Sequence, residues 1–351
     1  MGSTRSIENK KFVSIGKIVI KEQKDMGNRP QEMKRYQLAR WIMLLTTCYL
    51  LSACISSTLT ALPSALNLPD RTSKIPADAQ KMSPQTDKNP PLVYSADYEQ
   101  PIPLPGAVNT AGAEDSPFIT PDGNTLYFFF TPDVNVPVEQ QLLDGVTGIY
   151  VSHRENGQWG NAQRVILQEP GKLSLDGCED IYGNTMWFCS TREGFTGIHW
   201  FTAKLVDSTW QDWQLADFDP TYQVGELYIN PLNTELYFGS ERPGGLGGMD
   251  IWYSTFSNDT WQQPQNIAVI NTENNEGWPA LNLAGDELWF YRNYGIWRSK
   301  KLNGNWQAPE LVVSPLAGEP TLDQAGNLYF VHHYFSNDQM IEADIYVAIK
   351  K

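Results

Sequence analysis

Between Asp115 and Tyr346 apolar and polar residues follow a period near two, in short runs broken by Gly, Pro, Asn and Asp, and a helical period is absent. In the run from Asp250 to Ser254, Ile251 and Tyr253 alternate with Trp252 and Ser254, so successive side chains leave opposite faces of a strand. One apolar strand recurs five times, as Leu126-Tyr127-Phe128, Met186-Trp187-Phe188, Leu236-Tyr237-Phe238, Leu288-Trp289-Phe290 and Leu328-Tyr329-Phe330. Its middle aromatics stand 60, 50, 52 and 40 residues apart, a spacing typical of radially repeated sheets. A second strand recurs as Gly148-Ile149-Tyr150, Gly197-Ile198-His199, Asp250-Ile251-Trp252, Gly295-Ile296-Trp297 and Asp344-Ile345-Tyr346, and a third element follows at Trp159, Trp213, Trp261 and Trp306. Each unit therefore supplies about four short strands.

Turn chemistry supports this division. Pro121-Asp122-Gly123-Asn124 presets φ and then supplies residues tolerant of positive φ, while Asn156-Gly157 and Asn303-Gly304 suit tight hairpins. The fifth unit ends at Lys351 without a Trp-containing last strand, and Tyr98-Glu99-Gln100-Pro101 matches Trp261-Gln262-Gln263-Pro264 and Trp306-Gln307-Ala308-Pro309. Residues 97–105 are therefore expected to dock as the outer strand of the last unit, closing a ring and removing an open sheet edge. The expected fold is all-β: a five-bladed β-propeller closed by an N-terminal strand, with the repeat aromatics packed between blades.

These repeats resemble the WD-like propeller repeats of the TolB type, whose units run from an acidic start through Pro-Asp-Gly and an aromatic strand to Ser-x-Arg-x-Gly-Gly and Asp-Ile-Tyr. The third unit fits best, with Ser240-Glu241-Arg242-Pro243-Gly244-Gly245 and Asp250-Ile251-Trp252; the first replaces the Arg-Gly-Gly segment by an insertion from Thr131 to Thr147. The resemblance spans residues 97–351. It implies a propeller that docks proteins in the periplasm, and such repeats serve scaffolds, binders and enzymes alike.

Ahead of the repeats, Lys34, Arg35 and Arg40 precede an apolar run from Trp41 to Leu51 and then Leu51-Ser52-Ala53-Cys54. A basic start, a short apolar core and small residues before a cleavage point resemble a bacterial lipoprotein signal, and the run is short for a transmembrane helix. That resemblance implies a diacylglyceryl anchor on Cys54, with translation starting at Met26 or Met33. The expected divisions are 1–53, cytoplasmic extension and signal; 54–96, a flexible linker rich in Ser, Thr, Pro and Asp; and 97–351, the propeller. The expected location is the cell envelope, anchored by lipid in the outer membrane and facing the periplasm.

The formal net charge is −14, and loss of residues 1–53 removes ten basic and four acidic residues, deepening it to −20. Such a balance excludes a nucleic-acid footprint and leaves the lipid anchor as the membrane contact. Cys178 and Cys189 flank Gly183-Asn184 at equal distances, so a cross-strand disulfide and a pair of buried thiols are both open. His153, His199, His332 and His333 form no zinc-like spacing, and nucleophile-elbow, phosphate-loop, dinucleotide and calcium-loop motifs are absent. No metal, cofactor or catalytic residue is assigned.

Candidate chemistry gathers at the start of each unit. Glu114, Asp115, Asp176, Glu226, Glu276 and Glu319 open the first strands, and Arg192, Arg242 and Arg292 follow the second strands beside Gly-rich turns. One rim would hold them all. Three readings stand: arginine–carboxylate bracing of adjacent blades; a ligand site for envelope proteins, peptides or glycans with Phe195, Trp200, Trp278 and Tyr294 as stacking faces; or a glycosidase using Glu226, Glu276 and Glu319. Trp278 is read as replacing an acid in the column of Asp176, Glu226 and Glu319, which makes the fourth unit the place where symmetry breaks.

Overall fold

The computed structural model describes residues 68–219 and 221–351. The signal segment and Cys54 lie outside the described residues. Among the described residues no helix is long and apolar enough to cross a membrane.

The strands form repeated antiparallel units. The first comprises Ala113–Ile119, Thr125–Thr131, Gly148–Glu155 and Gln163–Arg164; the second Ser174–Tyr182, Thr185–Arg192, His199–Val206 and Thr209–Leu215. The third comprises Leu227–Ile229, Glu235–Ser240, Asp250–Ser257 and Gln265–Asn266, and the fourth Glu276–Leu281, Glu287–Arg292, Gly295–Leu302 and Glu310–Ser314. Ala317–Leu322, Leu328–Ser336 and Gln339–Ala348 begin the last unit, whose outer strand is Ile102–Pro103, with Ile102 opposite Val347 and Pro103 opposite Tyr346. Tyr98 bridges to Lys350, and the amides of Glu99 and Leu104 donate to the carbonyls of Ile349 and Ile345. Residues from the beginning of the repeat region thus complete the sheet built by its end.

The first strands are neighbours in cyclic order, Ala113–Ile119 beside Ser174–Tyr182, then Leu227–Ile229, Glu276–Leu281 and Ala317–Leu322, which returns to Ala113–Ile119. Apolar cores lie between neighbouring units rather than within them. Tyr127, Ile149 and Leu167 of the first unit pack with Met186, Phe188 and Phe201 of the second, and Trp289 and Val313 of the fourth with Phe330 and Tyr346 of the last. Tyr329 and Ile345 of the last unit pack with Phe128, Phe130 and Tyr150 of the first. Each fully buried aromatic removes a large apolar area from water, about 1.5–3 kcal/mol per side chain, so the aromatic repeat is the main glue between sheets.

The stretch ahead of the repeats departs from expectation. Residues 68–96 do not behave as a tether: Arg71 is buried against Glu114, Lys81 bridges Glu342 and Asp344, and the Asp87 carboxylate lies 2.8 Å from His332 Nε2. Leu92–Val93 adds a further strand to the fourth unit, opposite Ser314 and Val313. A content of Ser, Thr, Pro and Asp suggested a flexible linker, but specific charged side chains reach buried partners on the first and last units and hold the segment down.

Candidate functional site

The six acids and three arginines named from sequence do not share one rim. Glu114, Asp176 and Glu276 occupy one column and are consumed by internal contacts. Glu114 accepts from the Thr110 amide at 2.8 Å and hydroxyl at 2.6 Å, and Glu276 is held the same way by Thr272 at 3.0 and 2.7 Å. Asp176 accepts from Ser174, Ser190 and Arg192 at 2.9, 2.6 and 2.8 Å. Arg292 Nε lies 2.6 Å from Glu276, and Arg242 pairs with Asp219 at 2.9 Å instead of with a first-strand acid. Each arginine also lies over aromatic rings of its own unit, Arg192 at 4.5 Å from Phe201 and 4.4 Å from Trp213, Arg242 at 4.7 Å from Phe238, Arg292 at 4.7 Å from Trp297. These are braces, in which a guanidinium joins a carboxylate to an aromatic face.

The first unit has Pro132 where the second and third have Arg192 and Arg242, and Arg71 supplies the guanidinium from the N-terminal segment. Its guanidinium lies 5.1 Å from the Phe130 ring centre and 5.4 Å from that of Phe128, and donates to the carbonyls of Ala107 and Val108 at 2.9 Å. Arg192 and Arg292 likewise donate to the carbonyls of Leu167 and Ile270. Arg71 therefore reproduces the same brace from outside the repeat.

A different column faces the centre of the molecule. Four first strands carry a bulge, between Asp115 and Phe118, Gly177 and Asp180, Gly277 and Ala280, and Gly318 and Thr321. At each bulge a side-chain-bearing residue takes a left-handed backbone, Ser116 at φ 46°, Cys178 at 56°, Trp278 at 51° and Glu319 at 55°. Such conformations cost about 1–2 kcal/mol per residue outside glycine and re-aim side chains. Glu226 occupies the corresponding position of the third unit, two residues before Tyr228, which pairs with Tyr237. The column is thus Ser116, Cys178, Glu226, Trp278 and Glu319, so Asp176 does not belong with Glu226 and Glu319. The second unit's hairpin is two residues shorter, with Ile181 opposite Met186 where Leu281 stands opposite Leu288, so counting back from the aromatic strand overshoots Cys178 and lands on Asp176.

These five residues line a cavity of about 100 Å³ that runs from the bulges to the hairpin turns, where Pro121, Pro231, Leu283 and Gln324 are exposed at its mouth. By the same measure one water needs ~10–15 Å³, so a small group fits. Of the acids named from sequence only Glu226 and Glu319 line it; Glu114, Asp115, Asp176, Glu276 and the three arginines do not. A glycosidase pair drawn from Glu226, Glu276 and Glu319 loses Glu276 to Arg292. Among the proposed stacking faces, Trp200 is buried, and Phe195 packs edge-on against Phe201 and Trp213. Trp278 lies against Tyr291, with ring centres 5.2 Å apart, and lines the cavity.

The cavity's lining also contains acids that sequence reasoning missed. Glu179 and Asp180 follow Cys178 in the bulge and are both buried. Burial pushes the Glu179 carboxyl up to about 8 and that of Asp180 to about 7. Asp180 accepts from the Ile229 amide at 2.9 Å, and Glu319 from the Ser116 amide and hydroxyl at 2.7 and 2.9 Å, so these acids stitch adjacent first strands. Burial, then the Asp115 charge, holds Glu319 well above the usual carboxylate range. Glu179 differs: both of its oxygens are buried without a hydrogen-bond partner. The signal for it was legible, because the equivalent residues are Pro117, Leu227, Pro279 and Pro320.

Cys178 and Cys189 are free, buried thiols. The bulge sets Cys189 opposite Gly177, one residue from the expected pair. Among the described residues no group of three or more His, Cys, Asp or Glu side chains is placed to hold a metal ion.

No family model matches the chain, and no curated protein matches it. Solved structures similar to it include TolB from Acinetobacter baumannii, at 13% identity over 68% of this chain and 55% of that one, with a TM-score of 0.40. The chain thus spans about half the length of that TolB. A protein of unknown function from Dyadobacter fermentans is 11% identical over 73% of this chain and 100% of its own, with a TM-score of 0.47. A gluconolactonase from Xanthomonas campestris is 13% identical over 79% and 97% of the two chains, with a TM-score of 0.41. The all-β, propeller-type fold of this chain rests on its own topology, the cyclic order of its first strands and the cores between its sheets.

Proposed function

We propose that this chain is a lipid-anchored cell-envelope module, a single five-bladed propeller closed by residues 97–105, that binds a protein or peptide partner at the hairpin-side mouth of its channel and does so without chemistry. The observation that carries this reading is the contrast between two columns. Repeated acids at Glu114, Asp176 and Glu276 are tied to arginines and serve the fold. The bulge column holds five positions with four different residue types, four of them in a left-handed backbone, around an open cavity. Strain kept at a cavity wall is a mark of function. Leu232 and Leu283, 78% and 61% exposed on hairpin turns of the third and fourth units, add an apolar rim on that side. The basic-then-apolar signal ending at Cys54 supports the anchor, and the net charge supports a partner with cationic groups.

The test is a crosslinking capture from native envelopes with the mature protein and a folded Leu232→Ser/Leu283→Ser/Glu226→Gln variant. A discrete protein captured by the parent and lost from the variant supports docking at the mouth. Identical capture by both, or capture by neither, sinks it.

A further inference from the structure

We propose that the channel, whose wall Glu226 and Glu319 also line, holds an alkylammonium group on Glu179, on a ligand that also offers a hydrogen-bond acceptor to Trp278. This rests on the reading of the channel as the binding site and names the chemistry of what enters it.

Among the described residues five acidic ones line the cavity, Glu179, Asp180, Glu226, Glu319 and Asp323, and no lysine, arginine or histidine does. Asp180, Glu319 and Asp323 have backbone or side-chain donors, the last from Asn327 at 2.9 and 2.8 Å. Glu179 is 6% exposed, and among the described residues no other residue donates a hydrogen bond to either of its oxygens. A buried carboxyl without donors is a costly arrangement unless something else supplies them. Arg164, whose charge reaches Glu179, donates to the Ile149 carbonyl at 3.2 Å and lies 5.5 Å from the Tyr150 ring centre. Trp278 Nε1 is a second buried polar atom on the cavity wall without a partner, and it needs an acceptor.

The missing partner is a hydrogen-bond donor, and one that also carries positive charge would hold Glu179 ionised against its burial. A hard metal ion requires several oxygens within ~2.0–2.6 Å of one point, and the described acids do not converge in that way. An ammonium carries three donors and reaches acceptors at ordinary hydrogen-bond length. Phe118, Tyr182, Tyr228 and Trp278 supply apolar and aromatic wall, which suits an alkyl stem and favours a cation over a ring face. The volume accepts a small amine or the end of a partner's side chain.

Ligand-observed NMR on the mature protein, with ethanolamine as probe, ethylene glycol as its uncharged counterpart and calcium as a metal probe, tests the assignment. Ethanolamine is expected to bind saturably and ethylene glycol not at all. Glu179→Gln is expected to weaken the amine at least tenfold while the protein stays folded, and Trp278→Phe, which keeps the wall and loses the N–H, several-fold. Absence of saturable amine binding, unchanged affinity in Glu179→Gln, or Glu179-dependent calcium binding in place of the amine overturns the proposal. If the amine fails while envelope capture still depends on the channel mouth, the amine assignment falls and the docking reading stands; amine binding without any capture has the opposite meaning.

Discussion

Arg71 Nη1 lies 3.3 Å from Glu114 Oε1, and both side chains are buried although 43 residues separate them. Burial pushes the Glu114 carboxyl up to about 7, against the pull of that guanidinium. Removing one partner of a buried pair leaves the other uncompensated, which costs about 3–5 kcal/mol. Arg71→Met is therefore expected to lower the melting temperature by roughly ten degrees at pH 8. The loss should be smaller at pH 5.5, where Glu114 keeps its proton, and Arg71→Met/Glu114→Gln should recover much of it. Calorimetric melts of the three variants at both pH values decide this; an Arg71→Met melt equal to the parent's would mean the segment contributes nothing.

The arginine braces are unequal, and their variants should rank accordingly. Glu276 is fully buried beneath Arg292, whereas Asp219 is 15% exposed beside Arg242. Water can rescue the aspartate more readily, so Arg292→Met is expected to destabilise by about 3–5 kcal/mol and Arg242→Met by less. Urea midpoints at constant slope measure the order.

Burial raises the carboxyls of Glu114, Asp180 and Glu342 to about 7 and that of Glu179 to about 8. In the unfolded chain the same groups lose their protons near pH 4–4.5. Between those values the folded state binds more protons, so stability is full below the unfolded values and falls as pH rises towards 8. The melting temperature should consequently be several degrees higher at pH 5.5 than at pH 8. Glu179→Gln should flatten that slope, and a slope unchanged by the substitution would show that Glu179 does not titrate as its surroundings require.

Free thiols at Cys178 and Cys189 give a simple chemical expectation. Both are buried, and both are held above the ordinary thiol range, Cys178 by its contact with Cys189 and Cys189 by burial. A thiol reagent should leave them unmodified in the native protein and label both in denaturant without a reductant. Labelling that appears only after reduction would reveal a disulfide.

The sheet units, their aromatic columns and the docking of residues 97–105 were legible because period-two alternation and turn chemistry recur in every unit. The tie from Arg71 to Glu114 was not, since a single charged residue in a Ser- and Pro-rich stretch carries no periodicity to align. Asp176 was set beside Trp278 because counting back from the aromatic strand ignores the shorter hairpin of the second unit. Aligning on Gly177, Gly277 and Gly318, the residues before three of the four left-handed positions, would have corrected the column. Glu179 would then have stood out as an acid in a column of Pro117, Pro279 and Pro320.

The pairing of Ile102 with Val347, together with Lys81 on Asp344, has a consequence for how the protein is made. A ribosome delivers residues 68–105 first and Gln339–Ala348 last, so the opening segment must wait, unpaired, for almost the whole chain to emerge. Contacts of such long sequence separation are slow to form. The last unit is therefore expected to be the final one to gain hydrogen-exchange protection during refolding, and until it does the early segment remains open to chaperones and proteases.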